Sequence, residues 1–318
     1  LAASLVSTSA FAGELTATGA ASISLENYSG EQVNSDKAWS MADSVILSGS
    51  TELDNGMTVS MSFELDDADT AHSYDSHSVT IASDALGTLT FSGNGGSSAV
   101  SAMDATAAGD IFDTFDAQTL NAAAVAETST AAGNAAMLTS PGGNDSLFYT
   151  APTLVDGLAI TASYNGEAGA ESSSAFGVTF SGVEGLTVNY GVGTDDGAAG
   201  TANNADVTTM KASYAVGPVT LAYSDHSYDS ATATRDQDTK SMSVAYTVTD
   251  SISVSYGTEE LSTGEASTVD AEYTQISASY TSGGMTITAK QQEAENISYG
   301  TGSTEDQDYW GLTLAFAF

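Results

Sequence analysis

Apolar residues recur at every second position through most of this chain, in short segments set apart by turns or polar stretches. Met57, Val59, Met61, Phe63 and Leu65 alternate with small or polar neighbours after Asp54-Asn55-Gly56, and Leu158, Ile160, Ala162 and Tyr164 do so after Val155-Asp156-Gly157. A period of two is the repeat of a β-strand, and Asn-Gly or Asp-Gly ahead of it signals a hairpin. Related junctions at 84–87, 182–185, 217–218, 250 and 282–284 bring the tight turns to seven.

Between successive tight turns lies a longer polar segment, at about 26–37, 66–77, 94–145, 165–173, 193–206, 224–240, 257–272 and 293–309. Eight long loops joining pairs of strands, with seven short turns joining the pairs, require sixteen strands. The expected fold is all-β: a transmembrane antiparallel up-and-down β-barrel of about sixteen strands, short turns at one end and long loops at the other. Expected outward residues include Ile23 and Leu25, Val45 and Leu47, Val79 and Ile81, Phe176, Val178 and Phe180, Val244, Tyr246 and Val248, and Ile252, Val254 and Tyr256. Their neighbours are mostly Ser, Thr, Ala and Gly, which suits a water-filled lumen better than the apolar interior of a β-sandwich. Outward tyrosines with Trp39 and Trp310 would form interfacial girdles.

The terminal segment carries the same pattern. Trp310, Leu312, Leu314, Phe316 and Phe318 alternate with Tyr309, Gly311, Thr313, Ala315 and Ala317. A closed barrel suits such a strand, because lipid tolerates no unpaired sheet edge. This ending resembles the carboxyl-terminal signature of Gram-negative outer-membrane barrels, which implies recognition by the barrel-insertion machinery and pairing of the last strand with the first, beginning near Glu14.

Charge and cysteine narrow the class. The 318 residues hold 41 acids against 5 Lys plus Arg, a formal charge of −36. Such a surface repels phosphate backbones, which excludes nucleic acid as a partner. Cysteine is absent, so neither a disulfide framework nor a thiolate metal site is available. Residues 1–12, LAASLVSTSAFA, end in an A-x-A cleavage pattern and read as the tail of a signal peptide, with residues 13–318 forming a single barrel domain. No stretch approaches the roughly 18 uninterrupted apolar residues of a spanning helix.

Across residues 13–318 the chain resembles a general porin of the alphaproteobacterial type. The segments that carry the likeness are GELTATGAASISLEN, ILSGSTELDNGMTVSMSFEL, NDSLFYTAPTLVDGLAITASYN and YWGLTLAFAF. The resemblance implies a sixteen-stranded barrel in the outer membrane, a homotrimer, and a long third loop folded inward to narrow the pore. The corresponding loop is 94–145, with a short helix expected around 110–126. Acids at three-residue spacing share a helical face, leaving Ile111, Phe112 and Phe115 to pack on the barrel wall. We place Asp104, Asp110, Asp113, Asp116 and Glu127 at the constriction, and Glu64, Lys211 and Lys290 on the lumen face by alternation. The chain departs from the family pattern in its basic residues. It has a single arginine, Arg235, in a long loop with Lys240, so no arginine cluster can oppose the acids within one subunit.

The long loops hold 32 of the 41 acids, which predicts a negative outer mouth that concentrates cations. Glu259, Glu260 and Glu265 are counted among these mouth acids. Enzyme chemistry finds no support. His72, His77 and His226 fall in or beside polar loops without an HExxH partner, no G-x-S-x-G elbow occurs, and Gly191-Val192-Gly193 lacks the third glycine of a dinucleotide loop. No cofactor is required. Asp66, Asp67, Asp69 and Asp75, or Asp110, Asp113 and Asp116, offer oxygen ligands of the kind Ca²⁺ uses but lack EF-hand spacing, and an acidic solvated loop competes with that reading. The expected function is passive diffusion of small hydrophilic solutes and cations through the outer membrane. The alternative is an acidic surface-binding β protein, an adhesin or a receptor-type barrel or sandwich.

Overall fold

The computed structural model describes residues 15–29, 37–66, 75–116, 137–166, 172–196, 204–233, 236–266, 268–297, 299–300 and 306–318. Within them the order runs β1 (Thr16–Ser29), β2 (Lys37–Glu52), β3 (Thr58–Asp66), β4 (Ser76–Ser83), β5 (Gly87–Asn94) and the short helix α1 (Asp113–Asp116). Then come β6 (Ser146–Thr150), β7 (Leu158–Asn165), β8 (Ser173–Val183), β9 (Leu186–Asp195), β10 (Ala205–Val216) and β11 (Val219–Ser230). The chain finishes with β12 (Gln237–Thr249), β13 (Ile252–Thr263), β14 (Ala271–Ser282), β15 (Met285–Glu295) and β16 (Gln307–Ala317). Residues 1–12, read as a leader, and Glu14 lie outside the described residues.

Each strand pairs antiparallel with its sequence neighbours, and β1 pairs with β16 from Ala20↔Ala317 to Ser29↔Asp308, so the sheet is a closed barrel. A sandwich is thereby ruled out. The closing contact includes Phe318 itself: Gly19 N–H donates to the Phe318 carbonyl at 2.7 Å, and Phe318 N–H returns a bond to Gly19 O at 2.9 Å. The seam is thus an unbroken ladder of ten residue pairs with no open sheet edge, which is the condition for crossing hydrocarbon. The Phe318 ring lies over Gly19, where a Cβ would come within 2.4 Å of it.

Tight turns join the strands at one end. Gly56, Gly87, Gly157, Gly185, Gly217 and Gly283 sit in six of the seven with φ between 56° and 82°, a region that side chains disfavour. Alternation then sorts the faces. Trp39, Met41, Leu89, Phe91, Phe176, Tyr190, Tyr214, Tyr246, Trp310, Leu312 and Phe318 are exposed on the outside, where lipid and headgroups replace water.

The wall is uneven in height. β3 to β7 have five to nine residues, whereas β8 to β16 have ten to thirteen. The taller strands continue into segments expected to be loops. Lys240, expected in a loop, is an outward residue of β12, and His226, expected in or beside a polar loop, is an inward residue of β11 that is 2% exposed. His77 likewise belongs to β4, stacked on Phe63.

The same extension moves the acids. Asp206, Asp229, Glu260, Glu272, Glu293, Glu295 and Asp308 line the outer surface of the tall wall rather than a loose mouth. Several stand directly opposite one another across strands: Asp206↔Asp229, Glu260↔Glu272, Glu272↔Glu295 and Glu293↔Asp308. Like charges in that position repel.

Candidate functional site

The loop after β5 enters the barrel and lies as a belt along the inner wall. Its two ends are clipped at the root, where Gly96 N–H donates to Gly143 O at 3.1 Å and Gly143 N–H to Gly96 O at 2.6 Å. The first stretch crosses β7 to β11. Ala99 N–H donates to Ser163 Oγ at 2.8 Å, and Ala99 and Val100 are fully buried with Ala175, Ala205, Val207 and Tyr228. Small inward residues permit this approach: a Cβ on Gly177 would meet Met103 at 2.2 Å, and one on Gly257 would meet Ala108 at 2.6 Å.

Serines hold the next stretch. Ala107 N–H donates to Ser224 Oγ and Ala108 N–H to Ser241 Oγ, both at 2.9 Å, while the Ser243 hydroxyl donates to Ala107 O at 2.6 Å. The Lys211 ammonium donates to the carbonyls of Ala105 at 2.7 Å and Thr106 at 3.2 Å. The tip is apolar. Ile111, Phe112 and Phe115 pack on Leu261, Ala271, Tyr273, Ala294, Ile297, Tyr299 and Tyr309, and the Tyr28 hydroxyl donates to Thr114 O at 3.0 Å. The belt therefore reaches β1.

The return strap is fixed on both sides. Leu138 N–H donates to Gln237 Oε1 at 2.7 Å, His226 Nε2 bonds Leu138 O at 2.6 Å, and the Ser140 hydroxyl donates to Thr194 O at 2.9 Å. Opposite the belt, β2 to β4 present Ser40, Ala42, Ser44, Ser60, Ser62, Glu64, Asp66, Ser78 and Thr80 to the lumen by alternation. Open lumen thus lies between a loop bearing acids and a hydroxyl-lined wall that is also acidic.

The residues expected at the constriction have different fates. Asp104 sits inside the belt, where its Oδ2 accepts from the Thr139 hydroxyl at 2.6 Å. Burial pushes its carboxyl up to about 6; the Thr139 bond and Lys211 pull it down, and Asp110 pushes it up. Asp110 is not on the helix. It adopts φ 54° and closes a turn, its Oδ1 accepting from Thr106 N–H at 2.8 Å. The helix expected over about 110–126 begins only at Asp113 within the described residues, because that turn occupies the preceding positions. Asp113 is exposed at its first position and Asp116 ends it, while Glu127 lies outside the described residues.

Glu64 is inward and accepts from the Ser76 hydroxyl at 3.0 Å. Lys290 lies on the inward face of β15, in register with Ser277 and Gly311. Arg235 lies outside the described residues. Glu259, counted among the mouth acids, is instead 3% exposed beneath the belt. The sequence offered one signal for that contact, the inward glycines Gly177, Gly191 and Gly257 on strands that otherwise carry Ser and Thr there. Among the described residues no group of three or more His, Cys, Asp or Glu is placed to hold a metal ion.

A closed sixteen-strand barrel with a loop laid inside it defines a membrane diffusion channel. The chain matches the Gram-negative porin family over residues 1–286 and belongs to it. It is an outer-membrane porin, a family of channels rather than enzymes. No curated protein matches the sequence. Among solved structures it is similar to the anion-selective porin from Comamonas acidovorans, at 13% identity over 96% of this chain and 100% of that one, with a TM-score of 0.69. It is also similar to Salmonella typhi OmpF, at 15% identity over 96% and 98% with a TM-score of 0.68. The outer membrane protein OmpT of Vibrio cholerae matches at 14% identity over 96% and 98%, with a TM-score of 0.65. At these identities the likeness speaks for the fold, and selectivity must be argued from this chain's own residues.

Proposed function

We propose that this porin is a cation-preferring channel for small hydrophilic solutes. The observation that carries the reading is the balance of charge on the two sides of the open lumen. The uncovered wall has Glu64 and Asp66 where a counter-charge to the loop would stand. Of the inward lysines, Lys211 gives its ammonium to loop carbonyls, leaving Lys290 as the other inward cation among the described residues. A cation entering this space meets carboxylates on both sides, while an anion meets them as a barrier.

We also read the assembled form as a homotrimer that docks through the outer face where β16, β1 and β2 meet. Asp43 faces outward between Met41 and Val45, with Ala21 and Phe316 beside it. A carboxylate at that position is costly against acyl chains, and a neighbouring copy would shelter it. Insertion through the carboxyl-terminal strand, read by the barrel-insertion machinery, fits the seam that Phe318 makes with Gly19.

Reconstitution tests the channel reading. The purified protein in planar bilayers should give discrete conductance steps, and liposomes containing it should swell in monosaccharides. A folded, inserted barrel that neither conducts nor admits sugars would instead favour the receptor-type alternative.

A further inference from the structure

We propose that Glu259 is the positioning residue that sets the aperture of this channel, acting through the inward loop and not through its charge in the lumen. Glu259 lies on β13 between the inward residues Gly257 and Leu261, opposite Ser241 on β12 and Tyr273 on β14. At 3% exposure it has almost no contact with the lumen. Its carboxylate is instead filled by donors from the loop. Oε1 accepts from the Thr106 hydroxyl, and Oε2 accepts from Phe112 N–H at 3.1 Å, with Ile111 N–H also directed at the carboxylate.

Thr106 passes this grip on to the turn that follows. Its Oγ1 accepts from Gly109 N–H at 3.1 Å and Asp110 N–H at 2.8 Å, and its own N–H donates to Asp110 Oδ1 at 2.8 Å. One wall carboxylate therefore organises residues 106–112, the point where the loop changes from a serine-held belt to an apolar tip. The Glu259 carboxyl gathers bonds from two separate points of the loop, Thr106 and Phe112, whereas Ser224 and Ser241 each accept one loop N–H and Ser243 donates one bond. Loss of this acceptor leaves buried N–H groups without a partner, whereas loss of any one serine removes a single neutral bond. Gly257, directly below, allows Ala108 to sit against the strand, so the loop has no slack with which to find another acceptor.

The test separates position from charge. Glu259→Ala should raise the ratio of trisaccharide to monosaccharide swelling rates several-fold and add open-channel noise, while barrel formation, read by heat-modifiable gel mobility, stays normal. Glu259→Gln keeps an acceptor for Phe112 N–H and should restore most of the size cut-off, with a reversal potential close to wild type. Thr106→Val leaves the barrel strand untouched and should shift the cut-off in the same direction as Glu259→Ala. It also decides the question if the alanine variant fails to insert. Glu260→Gln, one residue away on the outer face, should leave the cut-off unchanged. The proposal is overturned if Glu259→Ala and Thr106→Val keep the wild-type cut-off and noise. It is equally overturned if Glu259→Gln and Glu259→Ala lower cation preference alike without changing the cut-off, which would make Glu259 a lumen charge.

Discussion

Truncating Phe115 to alanine removes the tip of the loop from its seat without touching any strand pairing. Phe115 is 1% exposed, its ring 5.8 Å from that of Tyr273, within a cluster that also holds Ile111 and Phe112. Phe→Ala at a fully buried site costs about 3–5 kcal/mol. Because each 1.4 kcal/mol is tenfold, the unseated population of the tip should rise by roughly 10² to 10⁴. The barrel ladder contains no part of that loss, so the cost falls on the local equilibrium between seated and released loop. Single-channel recording should therefore show larger and noisier openings, and liposome swelling should admit larger sugars, while the folded barrel survives on an unheated gel. If conductance, noise and solute cut-off all match wild type in an intact barrel, the tip does not bound the pore and the belt has been given the wrong role.

Other expectations follow from single contacts. The folded protein holds the Asp104 proton more tightly than the unfolded chain, its pKa raised from 3.8 to about 6. That contribution to stability is present below the unfolded value and is lost as pH rises through about 6. Lowering pH from about 7.5 to 5 should accordingly reduce K⁺ preference with a midpoint near 6, and Asp104→Asn should flatten the profile; an unaltered profile in that variant would exclude the assignment. Phe318→Ala should lower the amount of inserted barrel, measured as heat-modifiable protein in outer membranes, and wild-type insertion would count against the Phe318–Gly19 seam as an assembly determinant. Glu272 opposes both Glu260 and Glu295, so Glu272→Gln should stabilise the barrel by about 0.5–2 kcal/mol at low salt. Screening at high salt should erase the gain; an equal gain at both salt concentrations would mean that charge repulsion is not its source.

The strand count and the facing of most strands were legible because lipid on one side and water on the other give every residue one of two fates. Met57 to Leu65 and Trp310 to Phe318 show that contrast in unbroken alternation. The contrast fails above the membrane. Asp225-His226-Ser227-Tyr228 reads as a loop because its outward residues face water and its inward ones are also polar, yet it pairs with Thr208 and Thr209 on one side and Asp238 and Thr239 on the other. Its inward members are buried only because the belt covers them, a fact of tertiary placement. Glu259 was misread for the same cause, although parity with Gly257 and Leu261 already assigned it to the inner face. Asp110 illustrates a different failure. Its spacing from Asp113 and Asp116 fits a helix, but its positive φ belongs to a turn that the preceding Gly109 opens with φ 89°.

The claim that the pore prefers cations because its two sides are both acidic is tested most directly by the zero-current potential across a planar bilayer containing the purified porin under a KCl gradient. The account predicts a potential of the sign for K⁺ preference, larger near 0.1 M than near 1 M because the Debye length falls from about 10 Å to about 3 Å. A potential of the opposite sign, showing preference for Cl⁻, would contradict it.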